Sequence, residues 1–255
     1  MRVLLTGATG NVGSRLLPAL RAHNHTVILY LRNPSKLPKE ATALAQAIET
    51  GSGTDRAAIK SAILKHDCDA VINAAGLASM WSNTGELPTI FAAVTHAALA
   101  AREQRGGKPV RVWFMSGQGI LDSPRRPYLM ADYLPLFPIH RKNWALIQTI
   151  PTTELAWSLF CASQMDPRAS TIDYAPQAGA GASNLVAGAD APPAWSRKLQ
   201  WVPLLGTYLN IMAQAPDYFA PLEDCVDFLA GDLVAGLESE FVGKRVGVKV
   251  RGKSV

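Results

Sequence analysis

Glycines stand at positions 7, 10 and 13 of one short stretch, Thr6-Gly7-Ala8-Thr9-Gly10-Asn11-Val12-Gly13. An apolar run, Val3-Leu4-Leu5, comes just before it. Residues 14–22 follow, with Leu16, Leu17 and Leu20 recurring on one side. The order is therefore strand, glycine-rich turn, helix. Such a turn suits a pyrophosphate. One glycine permits the tight bend, a second lets the backbone approach the phosphates, and a third lets helix and strand pack closely. The helix N-terminus then faces the anion. Thr9, Asn11 and Val12 belong to the same cradle. The spacing is G-x-x-G-x-x-G, not the G-x-G-x-x-G common among dinucleotide-binding dehydrogenases.

A second strand over residues 26–31 runs into Arg32-Asn33-Pro34-Ser35-Lys36. An NAD site places an acidic side chain near this point to accept the ribose hydroxyls. Here an arginine stands about 20 residues past the glycines, where a 2′-phosphate would lie. Guanidinium matches phosphate geometry in a bidentate way, and Lys36 adds a second positive charge. The pattern predicts NADP(H). The plainer alternative is a solvated arginine opening a loop.

Residues 6–13, followed by Leu31-Arg32-Asn33-Pro34-Ser35-Lys36-Leu37, resemble the atypical short-chain dehydrogenase/reductase group. Within it they are most similar to the NmrA-like and biliverdin reductase B-like proteins. The resemblance is close over residues 1–160 and thin beyond. It implies an NADP-binding Rossmann fold, an α/β doubly wound sheet that is mainly parallel, with a small C-terminal substrate lobe. It implies no single reaction, because the group includes reductases, isomerases and redox sensors.

The remaining elements are those needed to position these residues. Residues 41–48 are alanine-rich, and their end is expected to form the third strand. Residues 51–55 open a helix through Leu64, with Thr54 as the expected N-cap. The family often has an aspartate near Ser52 that contacts the adenine; this chain has the serine. Residues 69–73 read as the fourth strand, ending in the small-residue turn Ala74-Ala75-Gly76. That turn allows close approach of the cofactor ribose and resembles the family's Asn-Ala-Gly turn; a plain tight turn is the alternative. Trp81 follows in a polar loop on the expected nicotinamide side. Residues 88–102 read as a helix with Phe91, Val94, Ala98 and Leu99 inward.

Residues 110–115 read as the fifth strand, and Ser116-Gly117-Gln118-Gly119 as the turn at its carboxyl end, where open α/β sheets bind ligands. Ser116 falls where the family keeps its active-site serine. A serine hydrolase is disfavoured, since a G-x-S-x-G elbow would need glycine at Phe114. The family's Tyr-x-x-x-Lys pair is absent: four residues after Tyr128 stands Asp132, and four after Tyr133 stands Phe137. The stretch from Pro138 to Trp144 resembles the helix start that carries the family's tyrosine, with His140 at or near its place. His140 could supply a proton near neutral pH or could be a half-buried helix-start residue. Lys142 faces the same question. Gln118, Tyr128 and Tyr133 are candidates for substrate contact.

Residues 154–160 read as the sixth strand. Residues 175–193 are largely alanine, glycine and proline, and this composition predicts a mobile loop. Trp195 and Trp201 come next, where the family builds its substrate lobe; a satellite core is the alternative. Residues 222–237 read as the last long helix and 244–250 as the last strand. The expected division is a cofactor-binding core over 1–165, a substrate lobe with its loop over 166–222, and a return to the core over 223–255.

The chain has 255 residues, of which 48% are apolar, enough for one large α/β domain. Its net charge of +5 is spread along the chain with no basic stripe, so nucleic acid is not an expected partner. No apolar run reaches spanning length, so no membrane is expected either. The first strand begins at residue 2, which predicts no leader peptide. Cys68, Cys161 and Cys225 lie far apart in apolar surroundings and read as reduced thiols of a cytoplasmic protein, with no metal site. A monomer or homodimer is expected.

Taken together, the residues predict an NADPH-dependent reductase of an apolar small molecule carrying a carbonyl or conjugated double bond, of the kind met in secondary metabolism. A non-redox isomerase or cyclase, and an NADP(H)-sensing binding protein, stay open beside it.

Overall fold

The computed structural model describes residues 1–76, 80, 85–125, 127–176, 179 and 181–252. The strands are β1 (Arg2–Thr6), β2 (Thr26–Leu31), β3 (Ala47–Thr50), β4 (Ala70–Asn73), β5 (Arg111–Gly117) and β6 (Ala156–Ala162). They continue with β7 (Met165–Asp166), β8 (Leu185–Ala189), β9 (Ala220–Pro221) and β10 (Lys244–Val250). Among the described residues they make an eight-stranded sheet in the order β3-β2-β1-β4-β5-β6-β10-β8, and β7 pairs separately with β9. Every neighbour in the main sheet is parallel except β8, which runs antiparallel to β10. This is the doubly wound Rossmann arrangement, whose order reverses between β1 and β4.

Parallel neighbours need crossovers, and helices supply them. They are α1 (Asn11–Ala22), α2 (Lys39–Leu44), α3 (Arg56–Lys65), α4 (Leu87–Gln104), α5 (His140–Ile147), α6 (Gly181–Asn184), α7 (Gly206–Gln214) and α8 (Leu222–Asp232). The alternation of side chains along β1 divides the core in two. Val3 and Leu5 pack with Leu16, Leu17 and Leu20 of α1 and with Leu222, Val226 and Leu229 of α8. Leu4 faces the other way, toward Ile59 and Ile63 of α3 and Phe91, Val94 and Ala98 of α4. A strand buried on both faces must be apolar without alternation, as Val3-Leu4-Leu5 is. One buried charge pair ties α8 to the sheet. Arg111 of β5 donates to Asp232 (2.8 Å), which also accepts from the Trp113 indole (2.8 Å). Breaking a pair of this kind commonly costs about 3–5 kcal/mol.

The structure moves several expected boundaries. Asp55, not Thr54, caps α3 by accepting from the Ala58 N–H (3.0 Å), while the Thr54 hydroxyl is taken up by Ser52 (2.9 Å). β6 begins two residues later than expected, because the Pro151 carbonyl accepts both the Glu154 and Leu155 N–H groups and holds them in a turn. The expected loop over 175–193 contains α6 and strand β8, registered against β10 from Val246↔Ala189 to Val250↔Leu185. Composition misread this stretch, since ladder bonds to β10 order a backbone whatever its side chains. Residues 185–189 thus belong to the main sheet and not to an appended lobe. The last long helix stops at Asp232, and the 3₁₀ segment after it breaks at Gly236, where φ is 58°. All three cysteines are free and buried. Among the described residues no helix is long and apolar enough to cross a membrane.

Candidate active site

The glycine turn is held by contacts that leave no space for side chains. Gly7 has φ 77°, and a methyl group there would lie 2.5 Å from the Ala74 carbonyl carbon at the end of β4. A methyl on Gly13 would lie 2.1 Å from the Gly7 oxygen. The first turn of α1 is therefore pressed against the ends of β1 and β4. Gly10 caps α1 without a side-chain acceptor, and the first intrahelical bond runs from the Ser14 N–H to the Gly10 carbonyl (2.9 Å). The amide groups ahead of it remain for an anion.

A groove of about 580 Å³ opens in front of this turn, lined by Gly7, Thr9, Gly10, Arg32, Lys36 and Ser52 among others. Ala74, Ala75 and Gly76 form its far wall. Thr6 donates to the Asn73 side-chain oxygen (2.6 Å), which also accepts from the Ala75 N–H (3.3 Å), so the wall is fixed to β1. Gly76, at φ 104°, packs under Leu87. Arg32 is 75% exposed, with its guanidinium 4.0 Å from the equally exposed carboxylate of Glu86. An exposed pair of this kind is weak and yields readily to a ligand.

A second cavity, of about 480 Å³, lies beyond the ends of β5 and β6. Ser116 and Gly117, expected in a turn, are the last residues of β5, paired with Cys161 and Ala162, and a 3₁₀ turn follows over Gln118–Ile120. The register Asn73↔Phe114 sets the Ala74–Gly76 turn beside the end of β5, so both cavities open along the carboxyl edge of one sheet. Met130, Leu136, Phe137, Ile211 and Phe219 make this pocket mostly apolar. Ser116 and His140 are among its polar lining residues. The Ser116 hydroxyl is buried and, a weak contact with the Cys161 thiol aside, has no hydrogen bond. The His140 Nδ1 is buried without one as well. Gly117 lies so close to the imidazole that a methyl there would be 2.9 Å from its Cδ2. Burial drives the His140 pKa down to about 4.

A sequence model of NAD(P)H-binding proteins matches residues 7–183. The chain belongs to the NAD(P)H-binding family. Its fold is similar over almost its full length to several solved structures. A candidate epimerase from Bacteroides thetaiotaomicron shares 17% identity at a TM-score of 0.65, covering 97% of this chain and 96% of that one. A candidate NADH-flavin reductase from Streptococcus pneumoniae shares 14% at 0.62, covering 98% and 100%. A candidate NAD-dependent epimerase/dehydratase from Bacillus halodurans shares 19% at 0.54, covering 98% and 94%. At these identities the likeness is one of fold. No curated protein sequence matches the chain.

The groove fits the dinucleotide of an NAD(P)H-binding protein: its glycines pack where side chains could not, and a helix N-terminus and two cations face it. Of the expected cofactor residues, Gly7, Thr9, Gly10, Arg32, Lys36, Ser52, Ala74, Ala75 and Gly76 line it. Asn11, Val12 and Gly13 are not among the lining residues: the Asn11 side-chain oxygen accepts from Arg15 (2.6 Å) and Val12 packs on the core. Tyr30, Glu86 and Ile90 also line the groove and escaped the sequence reading. Tyr30 had a signal, since it stands two residues before Arg32 and so on the same side of an extended strand.

In the apolar pocket the structure brings together Ser116, Gln118 and His140. Lys142 does not join them. Two helical residues turn the chain by about 200°, and Lys142 is exposed while His140 is buried. Tyr128 is exposed and meets Tyr133 edge-on (6.1 Å); neither lines the pocket, because the segment between them turns back on itself. Trp195 packs on Tyr218 (5.8 Å) beside a separate groove with Asp122 and Arg197, and Trp201 is 79% exposed. Trp81 lies outside the described residues. His140 sits buried at the first position of α5, and burial favours its neutral form.

The buried imidazole has a measurable consequence. Its folded pKa lies below the unfolded value of about 6.5, so the unfolded chain binds the proton more readily and acid destabilises the fold. Between pH 7 and 4 this group should account for about 3 kcal/mol of lost stability. Denaturant titrations at the two pH values should show that loss in the native chain and a correspondingly smaller one in His140→Gln. Equal losses would mean that the ring is already hydrated.

Proposed function

We propose that the chain is an NADPH-dependent reductase of an apolar small molecule with a carbonyl or conjugated double bond. The observation that supports it best is an apolar pocket next to the dinucleotide groove whose lining includes the polar residues Ser116, Gln118 and His140. A few polar groups in an apolar cavity fix the orientation of a small ligand. The pocket volume suits a small molecule. The name of the Streptococcus pneumoniae neighbour, an NADH-flavin reductase, agrees with reduction of a planar apolar acceptor.

The roles follow from the surroundings of each group. The α1 N-terminus and the Gly7–Gly13 backbone hold the pyrophosphate, and Arg32 and Lys36 hold the 2′-phosphate. The bound dihydronicotinamide supplies a hydride. Ser116 donates a hydrogen bond to the acceptor oxygen and so favours the charge that develops there. His140 is neutral and can donate one hydrogen bond from a ring N–H or accept one; which nitrogen bears the proton is set by the ligand. The oxygen left by reduction, held by the Ser116 hydroxyl, takes its proton from solvent as the product leaves, with Gln118 nearby at the pocket wall. The apolar lining excludes water.

The epimerase names among the neighbours favour a second reading, a reaction without net redox. NADPH oxidation against a panel of quinones, enals and polycyclic ketones separates the two. The proposal expects stoichiometric NADPH loss with at least one acceptor, and about 10²-fold lower kcat/KM in Ser116→Ala. Conversion without NADPH loss would mark an isomerase, and undiminished turnover in Ser116→Ala would remove the serine from the site.

Cofactor choice has its own test. Arg32→Ala should weaken NADPH binding by about 1.5–3 kcal/mol, as expected for a lost charged hydrogen bond, and leave NADH binding nearly unchanged. Equal losses in fluorescence titrations, or a native chain that prefers NADH, would take Arg32 away from the 2′-phosphate.

A further inference from the structure

Helix α7 is built inside out. Thr207, Asn210 and Gln214 are buried, while Tyr208, Leu209 and Met212 face solvent. The buried amides hold the segment that precedes the helix. Gln214 accepts from the Ser196 N–H (2.7 Å), Asn210 accepts from the Leu199 N–H (3.2 Å), and both donate to the Ser196 carbonyl. Asn210 and Gln214 are thus used in folding, while Tyr208, Leu209 and Met212 stay outward and Ile211 packs on the core. The preceding segment extends it: Leu204 is 96% exposed and Leu205 58%. Scattered exposed apolar residues are ordinary, but a contiguous group of this size marks a surface that meets something apolar.

Charge narrows the choice of partner. Arg197 and Lys198, both exposed, stand just before the patch in the chain, Arg197 sharing a separate groove with Asp122, and no acidic residue occurs between Asp190 and Asp217. Shape narrows it further, because Leu204 and Trp201 project outward and would insert into a fluid layer more readily than meet a rigid protein face. We propose that α7 and residues 197–205 dock on an anionic phospholipid surface. The apolar side chains enter the boundary between headgroups and acyl chains, and the two cations contact the lipid phosphates. The contact is peripheral and does not conflict with the lack of spanning runs in the sequence. Ile211 and Met212 of the same helix also line the apolar pocket. Docking would therefore place the pocket mouth at the lipid boundary, where apolar acceptors dissolve. The docking itself stands whether or not the reductase reading holds.

Flotation of the full chain with phosphatidylcholine vesicles, with and without phosphatidylglycerol, tests this directly. The native chain should float with the anionic vesicles, more weakly at high salt, and hardly at all with phosphatidylcholine alone. A Trp201→Ala, Leu204→Glu double variant should bind about tenfold more weakly or worse. Arg197→Glu with Lys198→Glu should abolish the preference for anionic lipid. All of these residues are at the surface, so the thermal melt and NADPH affinity should be unchanged in each variant, and these serve as folding controls. A native chain that stays with the soluble fraction, or variants that float like it, would overturn the proposal. A dimer that Leu204→Glu dissociates, without flotation of the native chain, would assign the face to a second copy and overturn it equally.

Discussion

The structure depends on the approach of three backbone segments at the amino end of α1. Gly13 lies against the Gly7 carbonyl, and Gly7 lies against the Ala74 peptide, at distances that admit no Cβ at either glycine. The contact fixes where α1 begins relative to β1 and β4, and hence where its free amide groups point. The order of strands in the sheet reverses at this same place, which leaves a crevice above the strand ends. The groove for a dinucleotide is the space that this packing leaves. The α1–α8 side of the core and the small-residue turn after β4 both take their positions from it.

Polarity is divided between the two cavities. The groove has backbone amides, hydroxyls and two cations, which suit the phosphates of a dinucleotide. The pocket beside it is apolar, and its few polar atoms are therefore expensive to leave unpaired. Desolvation beside this pocket lowers the pKa of His140. A neutral imidazole in an apolar pocket differs from the charged lysine beside tyrosine that the Tyr-x-x-x-Lys signature would have supplied.

Much of the cofactor side was legible in the sequence because it rests on local rules. A glycine turn between an apolar run and a helix has few physical explanations, and Arg32 stands at a fixed distance along the chain from it. The family match over residues 7–183 and the parallel sheet agree with that reading. Ser116 was legible for the same reason, as the residue at a strand's carboxyl end. The substrate side was not, since its walls come from segments far apart in sequence, such as Met130, Phe137, Ile211 and Phe219. Aromatic content drew attention to Tyr128, Trp195 and Trp201, yet none of them lines the pocket. Composition also failed over residues 175–193, where pairing with β10 makes a strand of Leu185–Ala189. The inverted polarity of α7 could be seen only once the partners of Asn210 and Gln214 were known.

The central claim is that groove and pocket work as one site, with a hydride crossing from the first to a molecule held in the second. Label transfer measures this most directly. NADPH deuterated at nicotinamide C4, on one face and then on the other, is incubated with the chain and the acceptor that consumes it fastest. The account predicts that deuterium from one face alone appears on a carbon of the reduced product. Product carrying no deuterium from either face, or label from both faces equally, would contradict it.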